Sequence, residues 1–468
     1  MKIIGLNVNS GQSAAALSLN GKIVAAAAEE RFNRIKHSRS FPRRAIEYCL
    51  DMAGLTELSE LDAIAVSWNP AINMSHINLS GFTDWRRYDP EWMYIVPNNI
   101  MRMVQGGSLE ASVTKIDVGI GVPIYYIPHH QSHMAHAIFE SPFDQGAVAV
   151  VDEYGEYNSV TLGKFSNNTI EVLKQIPYPH SLGVFYAAIT EYLGFTPNGD
   201  EWKVMGAAAY GDPSKFYEQV SQIIQWDPDR KEWFLEQRHI EHANMKRAGY
   251  CTESMERLLN IPKRTSSSPL GQEHKDLAAS AQLVFEERLF SLLNSLHEVT
   301  EHQNLASSGG CMMNSLANGK ILNNTPFENL FIPSSASDNG GAIGSALYLH
   351  YVEYKNKFEP ETSPTTPYQG PEYTDEDILA VLRASKLSYE QRDDITLYTA
   401  DKIAEGKIVG WFQGKMEFGE RALGARSILA DPRNEKMKEQ INAAVKFRES
   451  FRPFAPSILN DDIKVWSE

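Results

Sequence analysis

The chain has 468 residues, with 44 Lys plus Arg against 59 Asp plus Glu, a formal net charge of −15. Hydrophobic residues make up 43%, enough for sizeable cores in about three domains of roughly 150 residues. The acidic balance excludes a general nucleic-acid binder, which needs a basic face, but leaves room for a local basic pocket. Cys49, Cys251 and Cys311 are odd in number and far apart, so no disulfide framework or CxxC knuckle is readable and a reducing compartment fits. The opening MKIIGLNVNSG is too short for a signal h-region, and no later stretch reaches the length of a membrane span. The expectation is a soluble cytoplasmic protein, with no membrane and no nucleic acid among its partners.

The first elements read as strands. Ile3 to Val8 and Ser13 to Ser18 are apolar, Asn20-Gly21 is a hairpin turn, and Lys22 to Ala28 returns. A basic segment, EERFNRIKHSRSFPRR, precedes an amphipathic helix from about Arg44 to Ala53. The layout recurs at Gly146. GAVAVVDEYGE is a strand ending in acidic and glycine residues, then Ser159 to Phe165, a turn at Ser166-Asn167-Asn168, and Thr169 to Ile176. Two such copies suggest a duplicated three-stranded unit, whose ligand would lie in the cleft between halves; the alternative is a coincidence of common hairpins. Gly271 to His297 has helical period. NLASSGGCMMNS and FIPSSASDNGGAIGSALYLHY each read as strand, glycine turn, helix. Tyr354 to Tyr373 is rich in Pro, Glu and Thr, which marks a linker, and a new helix begins at Thr374.

Three constellations carry chemistry. His129, His130, His133 and His136 put four of the 13 histidines within eight residues. His129 and His133 share one helix face, the spacing by which two imidazoles grip a divalent cation. Asp152 and Asp338, each ending a strand near glycine, could complete the set; the alternative is a polar helix that happens to be histidine-rich. Ser308-Gly309-Gly310 and Asp338-Asn339-Gly340-Gly341 could bring backbone N–H groups to a phosphate, or serve tight packing. Lys415, Arg421, Arg426, Arg433, Lys446, Arg448 and Arg452 cluster in an otherwise acidic chain. They could grip phosphate or carboxylate oxygens, or pair with Glu417, Glu420 and Glu449.

EERFNRIKHSRSFPRRAI, HHQSHMAHAIFESPF, SLGVFYAAITEYLGF, EWKVMGAAAYGDP, SSGGCMMNSLANGKI, SASDNGGAIGSAL and FGERALGARSILADPR…KFRESFRPFAPSIL follow one another as in O-carbamoyltransferases of the NodU/CmcH/TobZ type. The chain resembles that family over essentially its whole length. The resemblance implies an α/β fold: a duplicated actin-like (ASKHA, Kae1-like) domain over 1–353, with halves of about 1–145 and 146–353. A linker at 354–373 and the N-terminal part of a YrdC-like domain at 374–468 would follow, incomplete because the sequence stops soon after FRPFAPSIL. It implies a transferase that uses ATP, with Mg, and carbamoyl phosphate to make a carbamoyl-adenylate. A hydroxyl or amine of a small-molecule acceptor would then take the carbamoyl group beside Fe(II) or another divalent metal, in a family that often forms homodimers.

By the same resemblance His129, His133, Asp152 and Asp338 are the metal ligands. Gly309, Gly310, Asn314 and Asn339 lie near the adenylate, and Arg421, Arg426, Lys446, Arg448 and Arg452 surround the phosphates. The loops Trp68 to Arg87 and Phe195 to Trp202 would line the acceptor pocket. One departure matters. The family reads HDSAAAL after the first strand, its His being the general base; here Gly11 and Gln12 stand in the His-Asp positions. Neither takes a proton near neutral pH. Another group serves (His37 and His130 are candidates), or an amine nucleophile needs none, or the chain is a non-catalytic or altered-chemistry nucleotide- and metal-binding member.

Overall fold

A computed structural model of the chain describes residues 1–8, 12–69, 113–116, 121–241, 249–362, 365–446 and 451–463. It divides into two compact units. One is Met1–Pro371 with Phe418–Glu420, and the other is Glu372–Glu417 with Arg421–Glu468.

The first unit holds two large sheets. In the first, β1 (Lys2–Asn7), β2 (Ala14–Leu19) and β3 (Lys22–Ala28) form an antiparallel meander. The turn between β2 and β3 has Asn20 at φ 52° and Gly21 at φ 84°, the paired positive angles that an Asn-Gly hairpin turn requires. β4 (Ala63–Val66) and β6 (Ile124–Tyr126) add parallel to β1, and β5 (Thr114–Ile116) closes the edge, giving the order β3-β2-β1-β4-β6-β5. The second sheet has five strands, and a short hairpin of β10 (Ile224–Asp227) with β11 (Glu232–Leu235) lies between its third and fourth strands in the chain. In that five-stranded sheet the meander is β7 (Gln145–Val151), β8 (Asn158–Ser166) and β9 (Thr169–Pro177), and β12 (Asn304–Ser308) then β13 (Asn329–Phe331) add in parallel at the β7 edge, giving the order β13-β12-β7-β8-β9. Five strands of each sheet therefore share one order and one set of directions.

Helices cover both faces of these sheets, so the central strands are apolar throughout rather than alternating. α1 (Arg43–Met52) packs on β2 and β3 through Ala45, Ile46, Cys49 and Leu50. α2 (His129–Phe139) lies on the second sheet. α3 (Leu182–Tyr192) and α4 (Glu201–Ala208) follow, then the long α5 (Gln272–Thr300). α6 (Gly341–Tyr348) lies on the first sheet and against α2. One core joins them: Ile3, Ala14 and Ala63 from the first sheet, Met134 and Ile138 from α2, Val148, Val150 and Ala306 from the second sheet, and Ala342, Ile343 and Leu347 from α6.

Small residues allow this approach. A Cβ on Gly344 would lie 1.8 Å from the Ser132 carbonyl oxygen, and one on Gly5 would lie 1.8 Å from that of Ala342. α6 is thus held against both α2 and β1 with no room for a methyl group. The stretch before Pro371 also packs, despite its polar composition. Phe358 joins the core, and the Gln369 carbonyl accepts from Ala26 N at 3.0 Å and Tyr48 Oη at 2.9 Å.

In the second unit α7 (Asp375–Ala384) is started by a reciprocal cap. Thr374 Oγ1 accepts from Asp377 N at 3.2 Å and Asp377 Oδ2 accepts from Thr374 N at 2.9 Å. α8 (Ile395–Ala404) and the hairpin of β14 (Val409–Phe412) with β15 (Arg426–Leu429) follow. α7 buries no side chain, and Val381 and Leu397 are 63% and 71% exposed.

Gly344→Ala is expected to destabilise the protein by about 1–3 kcal/mol, the usual cost of an extra methyl in a packed core. Urea unfolding measures it, and an unchanged midpoint would contradict the close helix crossing.

Candidate metal centre

Four donor side chains meet beyond the strand ends of the two sheets. His129 and His133 come from the first two turns of α2, Asp152 follows the last residue of β7, and Asp338 precedes α6. One donor atom of each lies within 4.8 Å of every other. His129 Nε2 is 3.1 Å from His133 Nε2, 3.1 Å from Asp152 Oδ2 and 3.6 Å from Asp338 Oδ1. His133 Nε2 is 3.9 Å from Asp152 Oδ2. Donors around one cation with bonds of about 2.1 Å stand roughly 3.0–3.4 Å apart, so two of these spacings already match.

The far side of each ring fixes its tautomer. His129 Nδ1 lies 3.2 Å from the Ser67 carbonyl oxygen, which can only accept, so Nδ1 carries the hydrogen. His133 Nδ1 lies 3.1 Å from Ser308 Oγ, which itself donates to the Ala336 carbonyl at 3.1 Å, so that Nδ1 donates too. Both Nε2 lone pairs therefore point into the same small space. Such outer partners are what orient metal-binding imidazoles. Asp152 is aimed by Gly310 N, which donates to Oδ1 at 2.8 Å and leaves Oδ2 for the cluster. Gly309 makes this turn at φ 101°, with Val151 backbone where a Cβ would stand. The donor set, two imidazoles and two carboxylates with lone pairs converging in a buried space, fits a divalent cation such as Fe(II), Mn(II) or Zn(II).

Burial gives the cluster a direction. The His129, His133 and Asp152 side chains are at most 5% exposed, whereas Asp338 is 27% exposed, so a reactant would approach from the Asp338 side. Burial works to lower the pKa of His129, but its hydrogen bond to Asp152 and the charges of Asp338, Asp152 and Glu156 prevail and raise it from 6.5 to about 9. Burial also works against ionised Asp152, yet the His129 hydrogen bond holds it well below the ordinary carboxylate range. Burial and the neighbouring His129 charge push His133 down. Without a cation, a proton on His129 Nε2 therefore carries the positive charge of this space.

The remaining candidates are placed unevenly. Gly309 and Gly310 border the cluster. Asn339 is buried, and its Oδ1 accepts from Gly340 N at 3.0 Å. Asn314 is engaged with Gln282 in a reciprocal amide pair at 2.9 and 3.0 Å, and its Oδ1 also caps Ala317 N. Arg426 donates to the Gln413 and Gly414 carbonyls of its own hairpin, with its guanidinium 3.5 Å from the centre of the Phe412 ring. Arg421 is exposed and Arg452 half-buried. The Lys446 side chain, Arg448, Gly11 and most of the Trp68 to Arg87 loop fall outside the described residues.

The two candidate bases differ. His130 is buried, with Nδ1 2.8 Å from Thr161 Oγ1, and burial pushes its pKa down to about 3. His37 is exposed, its Nδ1 3.4 Å from Gln12 Nε2, and it faces Gly199. Sequence reasoning passed over Ser67 and Glu156, and took Ser308 only as part of a glycine turn. Ser308 and Glu156 stand inside quoted motifs, but a carbonyl partner such as that of Ser67 leaves no residue-type signal.

Residues 2–347 match the family model of the carbamoyltransferase N-terminus, and residues 400–468 match that of the carbamoyltransferase C-terminus. The chain belongs to the carbamoyltransferase family, a family of transferases. It is 36% identical to an uncharacterized protein of Synechocystis sp. over 98% of this chain and 76% of that protein. It is 34% identical to nodulation protein NolNO of Sinorhizobium fredii, over 97% of this chain and 63% of that one. Nodulation protein NolO of Bradyrhizobium diazoefficiens is 36% identical over 73% of this chain and 60% of its own length. The chain thus spans less than two thirds of either nodulation protein. Among the described residues no helix is long and apolar enough to cross a membrane.

The raised His129 pKa makes a stability prediction for the metal-free protein. Its stabilisation is fully present below pH 6.5 and is lost as pH rises through about 9. Melting temperature should fall across that window, and His129→Asn should remove that part of the fall; a wild-type melting temperature flat from pH 6.5 to about 9 contradicts the assignment.

Proposed function

We propose that this chain transfers a carbamoyl group from carbamoyl phosphate, through a carbamoyl-adenylate formed with ATP, to a hydroxyl or amine of a small-molecule acceptor. In this reading the first unit is a duplicated actin-like domain, and the C-terminal region is part of the adenylate-forming domain. The observation that carries the reading is the convergence of His129, His133, Asp152 and Asp338 in a member of this family.

His129, His133, Asp152 and Asp338 would hold the divalent cation. A cation there supplies Lewis-acid polarisation of the carbamoyl oxygen. The chain's own groups do the rest. The Gly309-Gly310 turn borders the cation ligands and gives the adenylate a surface without side chains. Burial of the three inner donors keeps water from the reacting carbon, and the more open Asp338 side admits the acceptor. His37, beside Gln12, receives the acceptor proton in this reading; His130, with its pKa pushed down to about 3, is unsuited to that task. The second reading, a binding member without transfer, is favoured by Gly11 at the family's base position.

Two measurements test this. Pyrophosphate release from ATP should depend on carbamoyl phosphate even without acceptor; release that ignores carbamoyl phosphate, or none at all, goes against the donor half. With an amine or polyol acceptor panel, His37→Asn should lower kcat about 10²–10⁴-fold, as loss of a general base does, and leave adenylate formation intact. Unchanged transfer removes His37 from the mechanism.

A further inference from the structure

α2 begins without a cap from its own segment. Pro128 precedes His129, and no side chain there accepts from the first turn. Most helices use a Ser, Thr, Asp or Asn at this point. Here the acceptor comes from 27 residues downstream. Glu156 Oε1 accepts from His129 N at 2.8 Å and from Asn69 N at 2.7 Å.

Glu156 is 8% exposed, and a buried carboxylate is costly unless hydrogen-bonded. The two N–H groups come from different places. Asn69 is on the segment leaving β4 of the first sheet, His129 opens α2, and Glu156 lies in the turn between β7 and β8 of the second sheet. One oxygen therefore ties three segments together, four residues beyond Asp152.

What those segments carry gives the tie its meaning. Two residues before Asn69, the Ser67 carbonyl receives His129 Nδ1–H and so fixes which ring nitrogen faces the cluster. Between them, Trp68 packs on the His129 ring with centroids 5.2 Å apart. Glu156 thus holds both the backbone bearing the ring and the backbone bearing the group that orients it.

We propose that Glu156 is a positioning residue for the metal centre: its carboxylate oxygen clamps the Ser67–Asn69 segment to the first turn of α2, so that His129 presents the Nε2 lone pair to His133, Asp152 and Asp338. The inference rests on the metal-centre reading above.

The test titrates Co(II) into the full chain and records both affinity and the visible spectrum, alongside melting of the metal-free protein. Glu156→Gln keeps a carbonyl oxygen for the two N–H groups and is expected to bind as the wild type does. Glu156→Ala removes the acceptor, and Glu156→Asp keeps the charge but withdraws the oxygen by one methylene, which guards against an alanine variant that fails to fold. Each is expected to lose roughly 10–100-fold in Co(II) affinity, the usual effect of losing an outer-shell partner, with altered bands. A mere helix cap would lower the metal-free melting temperature and leave affinity and spectrum as they were. Wild-type binding in either folded variant overturns the proposal. No Co(II) binding by the wild-type chain would sink the metal reading itself, and the proposal with it.

Discussion

Two imidazole Nε2 atoms face each other across 3.1 Å among buried side chains, with a carboxylate oxygen at the same distance from one of them. That arrangement is repulsive unless positive charge sits between them, because neither ring can turn. Ser67 holds one and Ser308 the other by their Nδ1 hydrogens. A proton on His129 meets the need poorly, with one hydrogen for several acceptors, whereas a divalent cation meets it with every donor at once. Much of the surrounding architecture follows from keeping this point in place. The close crossing at Gly344 fits α6 against α2, and the turn at Gly309 lets Gly310 hold Asp152.

The residues around this point share an origin in the fold. Asn7 ends β1, Ser67 follows β4, and His129 follows β6; Asp152 follows β7, Ser308 ends β12, and Asp338 lies beyond β13. These six strands form two parallel trios, and all six groups stand at or beyond their carboxyl ends, where open α/β sheets place ligands. Asn7 joins two of the loops, its Nδ2 donating to the Gln12 carbonyl at 2.7 Å and its Oδ1 accepting from Ser67 Oγ at 2.9 Å. The two sheets can build one centre because they repeat the same order and direct the same ends toward it.

Local signals in the sequence translated well. Asn20-Gly21 is a turn because its backbone angles demand those residues, and the His129/His133 pair is legible because four residues make one helical turn. What escaped was non-local. No spacing announces that Glu156 caps a helix 27 residues upstream, or that a backbone carbonyl at Ser67 sets a tautomer. Nor does residue type announce the local partners of Arg426, whose guanidinium donates to the Gln413 and Gly414 carbonyls and lies over the Phe412 ring. The pairing of the Asn314 amide with Gln282 on α5 is equally non-local. Residue type gives a side chain's capacity; the fold decides what occupies it.

In the proposed function His129, His133, Asp152 and Asp338 hold one divalent cation. Anomalous scattering from crystals of the full chain grown with Fe(II) tests it most directly. A single strong peak is expected at the iron edge, with both histidine Nε2 atoms and both carboxylates as ligands at about 2.0–2.2 Å. A map with no peak there, or with iron elsewhere in the chain, would contradict it.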